Sequence, residues 1–114
     1  MSETIVLTIP TSQRLSGVAT LVLGGIGSRL HMPFEKVDDL QLAALSALAA
    51  TDGETVTLEI TASDEKLEVG VGPLADGSGE DAGLRRVLDR LVDSVEASER
   101  DGREWLTLRL ARQP

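Results

Sequence analysis

The spacing of apolar residues changes along the chain between a period of two and a helical period. From Thr4 to Ile9 the pattern places Ile5, Leu7 and Ile9 on one face and Val6 on the other, and Pro10 follows, which predicts a short strand. The next segment instead has apolar residues three or four positions apart, as one face of a helix requires. Those residues are Leu15, Val18, Ala19, Val22, Ile26 and Leu30.

Pro33 separates this first helix from a second one, predicted from Glu35 to about Ala50. Two alternating segments follow on either side of the turn "SDEK", and they predict a pair of strands. Their inward residues are Val56, Leu58, Ile60, Leu67, Val69 and Val71.

The last third of the chain begins with the glycine-rich stretch "GPLADGSGEDAG" and continues into a third helical pattern that runs to Val95. "SERDGRE" predicts a turn into a final strand with Leu106, Leu108 and Leu110 facing inward. The order β-α-α-β-β-α-β predicts one α+β domain over residues 1–114. We expect a two-layer sandwich whose mixed, mostly antiparallel sheet of about four strands carries three helices on one face.

The composition and net charge of the chain exclude several classes of function. The formal net charge is −8, which argues against nucleic acid because duplex binding depends on Lys and Arg. The longest apolar run, Val18 to Ile26, is far shorter than the ~20 residues of a membrane span. There is no cysteine, so disulfides and thiolate metal sites are excluded. We therefore expect a cytoplasmic protein without nucleic-acid or membrane partners.

Candidate sites for chemistry are few. The spacing of the glycines in the glycine-rich stretch does not fit a nucleotide-binding motif, and the acidic residues beside them would repel phosphate. These glycines are Gly77, Gly79 and Gly83. A flexible surface loop is the favoured interpretation. His31 is the only histidine and stands at a helix end, where a capping role is favoured over catalysis.

The stretch "GGIG", Gly24 to Gly27, lies inside the first helical pattern, although each glycine costs roughly 1 kcal/mol there against alanine. Two interpretations stay open. The glycines allow close packing against the sheet or the second helix, or they form a thin face that another chain approaches.

Several segments together resemble the anti-sigma-factor serine kinases of the RsbW type, which are histidine-kinase-like, or Bergerat-fold, ATPases. They are "LSGVATLVLGGIGSRLHMPFEKVDDLQLAALSALAA", "EKLEVGVG", "GLRRVLDRLVDSVEA" and "WLTLRL". The resemblance runs from about Thr4 to Leu110 in the same element order. It implies the fold of that family.

The resemblance also assigns nucleotide positions. The glutamate that acts as the family's general base falls at Ser46, and the asparagine that binds magnesium falls at Ala50. The aspartate that binds adenine falls at Pro73, and the glycine that follows it falls at Ala75. Of the family's glycine-rich lid only Gly83 and the leucine after it are present. These departures predict a degenerate ATPase domain, a pseudokinase that binds no ATP, metal or other cofactor and is not an enzyme.

By resemblance, the expected function is a non-catalytic regulator of transcription that binds a sigma factor or a STAS-type antagonist. The alternative is a weak or unconventional ATP-dependent serine protein kinase of the same fold. The family's sigma-binding surface lies largely on the first helix, so the candidate partner-binding residues are Arg14, Thr20, Gly24 and Arg29. The family commonly forms dimers, and a homodimer through the first helix and first strand is expected here as well.

Overall fold

The computed structural model describes residues 3–11 and 15–113, with the side chains of all of these except residues 15 and 16. This part of the chain contains three helices, five strands and one short 3₁₀ turn. They are β1 (Glu3–Pro10), α1 (Leu15–Arg29), α2 (Phe34–Leu48), β2 (Thr55–Ala62), β3 (Lys66–Gly72), a short 3₁₀ turn (Ser78–Glu80), α3 (Ala82–Leu91), β4 (Ser94–Arg100) and β5 (Arg103–Ala111).

The strands form a single sheet in the order β1-β2-β3-β5-β4, and every neighbouring pair is antiparallel. The helices cover one face, which confirms the predicted α+β sandwich. The expected strand count was one too low, and the described sheet contains no parallel pair.

The additional strand is the first arm of a hairpin that the helical pattern concealed. Val92 already has extended backbone angles, φ −129° and ψ 166°, so α3 ends at Leu91. Val95, predicted to continue the third helix, lies instead in β4 opposite Leu108. Asp101 and Gly102 both have positive φ, 52° and 77°, as the two central residues of a type I′ hairpin turn must.

The core between sheet and helices is built almost entirely from aliphatic side chains. Inward positions on β2, β3 and β5 alternate with outward ones, as their period of two requires. All the residues predicted to face inward on these strands are buried: Val56, Leu58, Ile60, Leu67, Val69, Val71, Leu106, Leu108 and Leu110.

Glycines set the distance between α1 and α2. A Cβ on Gly27 would stand 2.5 Å from Cγ2 of Val37, and one on Gly24 would stand 3.0 Å from Nε2 of Gln41. Gly25 has no atom within 4 Å of its Cβ position. Close helix packing therefore accounts for Gly24 and Gly27, while Gly25 leaves a thin outer face.

The C-terminal end of α1 closes with a pair of backbone hydrogen bonds. The N–H of Met32 donates to Gly27 and the N–H of His31 donates to Ser28, which is the Schellman arrangement. His31 has a φ of 55°, the left-handed conformation that this position requires. Its ring is exposed at the helix end, which agrees with a capping position.

The other face of the sheet is polar and carries paired side chains. Hydroxyls of Thr8 and Thr57 on adjacent strands lie 3.0 Å apart. Farther along, the Arg100 guanidinium stands 4.2 Å from the centroid of the Trp105 ring and 2.8 Å from a carboxylate oxygen of Glu59. These contacts between strands pair polar groups on the face of the sheet that the helices do not cover.

Measured against the thickness of a bilayer, each helix in residues 3–11 and 15–113 is too short or too polar to cross it.

Candidate functional site

The loop after β3 is joined to the C-terminal end of α2 by main-chain hydrogen bonds. The N–H of Ala75 donates to the carbonyl of Ala50 over 2.8 Å, and the N–H of Asp52 donates to the carbonyl of Pro73 over 3.0 Å. Leu74, between the two bonded residues, is fully buried. The structure therefore brings together three positions of the family register: Ala50, Pro73 and Ala75.

The other two positions of that register use their polar groups within their own helices. Ser46 Oγ donates to the carbonyl of Leu42, 2.9 Å away and one turn earlier in α2. The N–H of Gly83 donates over 2.8 Å to the carboxylate of Asp81, which also accepts from the N–H of Leu84. Asp81 is thus the N-cap of α3, and Gly83 belongs to its first turn.

These five positions offer a magnesium nucleotide a single polar side chain, the hydroxyl of Ser46. Magnesium takes oxygen ligands, mostly carboxylates together with phosphates and water. In the part of the chain that the structure describes, no group of three or more acidic or histidine side chains is arranged to hold a metal ion. The residues of this register do not fit a magnesium nucleotide, so nucleotide binding would require other side chains.

A cavity of about 500 Å³ opens between the same loop and the β4–β5 hairpin. Four carboxylate side chains line it, which favours cationic groups over phosphates. They are Asp76, Glu80, Glu99 and Glu104.

Glu104 is the side chain that fixes the loop, and the sequence analysis did not select it. Its carboxylate accepts hydrogen bonds from the N–H groups of Gly77 and Gly79, the latter over 3.2 Å. A Cβ on Gly79 would lie 2.8 Å from the same carboxylate, so a side chain there would displace it. The sequence did contain a signal for Glu104: it stands two positions before Leu106 in β5, so the period of two places this charged residue on the inward face.

Two arginines hold the loop from its flanks. The guanidinium of Arg85 donates to the carbonyls of Gly79 and Val95, each over 3.1 Å. Arg103 donates to the carbonyl of Asp52 over 3.2 Å and more weakly to that of Leu74. These bonds, with those of Glu104, tie the loop to α2, α3 and both strands of the hairpin, so it is fixed to a much greater extent than its glycine content indicates.

Replacing Glu104 with glutamine is expected to lower the free energy of unfolding by about 1–2 kcal/mol. A carboxamide keeps the shape but replaces two charge-assisted acceptors with one neutral acceptor, and hydrogen bonds to charged groups contribute roughly 1.5–3 kcal/mol before solvent screening. Urea unfolding followed by circular dichroism measures the loss. Hydrogen exchange at the amides of Gly77 and Gly79 should accelerate.

The matched control is Glu99→Gln, because Glu99 lines the same cavity and has no hydrogen-bond or ion-pair partner among the described residues. Its effect should stay within about 0.5 kcal/mol, as is usual for surface changes. Equal losses for the two variants would mean that Glu104 does not anchor the loop.

The residues predicted to contact a partner differ in accessibility. Arg14 lies outside the described residues. Thr20 is exposed although its carbonyl accepts a hydrogen bond from Gln41 of α2 over 2.9 Å, whereas Gly24, one turn further on, is half-buried against the same residue. Arg29, at the end of α1, pairs with Glu3 of β1 over 3.5 Å, and both side chains remain largely exposed. Thr20 and Arg29 are therefore available to a partner.

The five-stranded antiparallel sheet, the helices on one face and the loop between β3 and α3 are the arrangement expected of a Bergerat-like domain. No family model matches the chain. A curated protein does match: the serine-protein kinase RsbW of Halalkalibacterium halodurans is 25% identical over 128 aligned positions, covering 88% of this chain and 78% of that protein. This similarity confirms the resemblance to the RsbW-type family.

The comparison corrects one prediction. The chain was expected not to be an enzyme, and this was wrong, because the relative that it matches is a serine-protein kinase. The expectation depended on a single register that placed the family's acid and amide at Ser46 and Ala50. Apolar spacing alone does not fix a register residue by residue, and carboxylates such as Asp39 in α2 and Glu80 beside the loop lie outside the five positions of that register.

Proposed function

We propose that this chain is a regulator of the anti-sigma-factor serine kinase type that recognises a protein partner and acts in the control of transcription. The partner proposed by resemblance is a sigma factor or a STAS-type antagonist. The observation that carries the proposal is the similarity to a serine-protein kinase over 88% of the chain. The α+β sandwich with its helices on one face of an antiparallel sheet supports it.

The outer face of α1 supports recognition of a protein. Leu21 is 77% exposed there, although a leucine of this size is usually buried. Gly17 and Gly25 lie near it along the helix, and neither has an atom within 4 Å of its Cβ position. A protruding apolar side chain between two thin stretches of backbone allows another helix or strand to approach closely.

Replacing Leu21 with aspartate is expected to weaken binding to the cognate sigma factor or STAS protein by at least tenfold. A charge placed in the centre of an apolar contact loses the burial of the leucine and is itself desolvated. Calorimetry with the purified sigma factors and STAS proteins of the native host measures the affinity. A pull-down from that host, analysed by mass spectrometry, selects the candidates.

The matched control is Phe34→Asp, because Phe34 is likewise strongly exposed but lies at the start of α2. It should leave the affinity within about twofold of the unchanged protein. The proposal is wrong if the unchanged chain binds neither class of protein. Leu21 has no part in binding if the two variants behave alike.

Serine-protein kinase activity is the second candidate, favoured by the activity that the relative's name states. The direct measurement is transfer of labelled phosphate from magnesium ATP to a serine of the STAS protein. Because the family register does not fit the nucleotide, activity would have to map to other residues by alanine scanning of the carboxylates in α2 and the loop. Absence of transfer with every host STAS protein would contradict this candidate.

Self-association is proposed as well. The strand β1 lies at one edge of the sheet and exposes Ile5 and Val6, and unpaired edges of this kind readily pair with another chain. A stable dimer would bury roughly 1,200 Å² or more in total. Light scattering at high micromolar concentration decides the question, and a monomer there would contradict it.

A further inference from the structure

The fold uses nearly all of its described basic side chains for its own hydrogen bonds and ion pairs. Four of the cations pair with carboxylates: Arg29, Lys66, Arg100 and Arg109. Four donate to backbone carbonyls: Lys36, Arg85, Arg103 and Arg112. Among the described residues, Arg86 and Arg90 are the cations without a hydrogen-bond or ion-pair partner.

These two arginines stand four positions apart on α3, so they are neighbours on one face of the helix. Both are exposed. Like charges at this spacing destabilise an isolated helix, and neither arginine forms an ion pair with a described residue, although Asp89 stands three positions after Arg86 on the same helix. Within the described part of the chain, Arg86 and Arg90 therefore make no polar side-chain contact that stabilises the fold, which distinguishes them from the neighbouring Arg85.

Beside the two arginines the surface of α3 is apolar and concave. A groove of about 220 Å³ is lined by Arg86, Val87, Arg90 and Leu91, and we call it the α3 groove. Val87 is 45% exposed, which is high for a valine. The α3 groove thus combines an uncovered apolar floor with two unpaired guanidinium groups at its rim.

We infer that the α3 groove docks an acidic amphipathic helix of a protein partner. An aliphatic side chain of that helix would contact Val87 and Leu91, and carboxylates on either side of it would pair with Arg86 and Arg90. Guanidinium groups bind carboxylates through parallel hydrogen bonds. Because the formal net charge is −8, most of the surface repels an acidic segment, whereas Arg86 and Arg90 attract it locally.

The same charge disfavours a nucleic acid on this surface. Duplex binding needs several phosphate contacts along an extended basic surface, whereas the α3 groove provides two cations and an apolar floor. A phosphate backbone has no aliphatic group to place on that floor. The docked segment is therefore assigned to a protein, and in that single respect the inference rests on the proposed function.

The test uses a fluorescein-labelled helical peptide with glutamates four positions apart on either side of a leucine. Fluorescence anisotropy should show saturable binding to the whole chain. Exchanging both glutamates for glutamine, or the leucine for alanine, should weaken it about tenfold each. The double variant Arg86→Glu with Arg90→Glu should also weaken binding at least tenfold, because attraction becomes repulsion.

The control for the changed charge is Lys66→Glu with Arg100→Glu, which makes the same change in net charge away from α3 and should leave peptide affinity within about twofold. Circular dichroism checks that both double variants are folded. The inference is overturned if the glutamine peptide binds equally well, or if the two double variants behave alike. It is overturned as well if a short DNA duplex or a second copy of the chain occupies the α3 groove with the same dependence on Arg86 and Arg90. Sigma-factor and STAS binding, tested through Leu21, can fail while the peptide result stands.

Discussion

Replacing Leu88 with alanine is expected to lower the free energy of unfolding by about 2–5 kcal/mol, the range for removing a buried leucine when the cavity left behind does not collapse. Leu88 is fully buried and is the one fully enclosed side chain within the ten residues of α3. Leu84 and Leu91 of the same helix pack against the core while partly exposed, so Leu88 makes the most enclosed apolar contact between α3 and the rest of the molecule. With a domain stability of roughly 5–15 kcal/mol, the loss is a large fraction of the total.

Urea unfolding followed by circular dichroism measures the change. Val87→Ala is the matched control, because it removes aliphatic groups from the adjacent position on the exposed side of the helix. It should cost less than about 1 kcal/mol. Comparable losses for the two variants would show that α3 is not anchored through Leu88.

Replacing Gly72 with valine has the second large expected effect, a destabilisation of about 3 kcal/mol. A Cβ on Gly72 would lie 2.3 Å from Cδ2 and 2.6 Å from Cε2 of Trp105, so the indole ring must move. Overpacking typically costs about 1–3 kcal/mol. Displacing the ring also separates it from Arg100, a cation–π contact that contributes roughly 0.5–1 kcal/mol at exposed sites.

Gly70 provides the control, because it lies two positions earlier on the same strand and the same face. A Cβ there meets its nearest neighbour, Cβ of Glu59, at 3.6 Å, an ordinary contact. Gly70→Val should therefore cost much less than Gly72→Val in thermal and urea unfolding. In a chain that already carries Trp105→Ala, Gly72→Val should lower the free energy of unfolding by less than it does in the unchanged chain. Strictly additive losses for the two substitutions would contradict the steric explanation.

The layers of this fold could be predicted because its inward positions are simple. Leucine, valine and isoleucine at a period of two on β2, β3 and β5 leave a single choice of face, and a one-residue slip would expose them all. The β4 strand was missed for a related reason. Val95 continues the helical spacing of Leu84, Leu88 and Leu91, and it equally fits a strand that begins after Leu91. The Asp101–Gly102 dipeptide, a strong signal for a tight hairpin, was the information that would have separated the two interpretations.

The candidate site could be predicted only in part. The family register placed Ala50, Pro73 and Ala75 in one region, and the structure joins all three through main-chain bonds. Their chemistry did not follow, because an apolar pattern specifies which residues are buried and not which carboxylate faces a ligand. Glu104 was missed since its partners, the amides of Gly77 and Gly79, lie 27 and 25 positions away along the chain.

The position of Trp105 has an optical consequence. The chain contains one tryptophan and no tyrosine, so its emission on excitation near 295 nm comes from a single indole. That indole lies on the polar face of the sheet beneath Arg100, on the opposite side from α1 and α3. Its fluorescence therefore registers disturbance of the exposed sheet surface, and a partner bound to the helices can be distinguished from one bound to the sheet without any label on this chain.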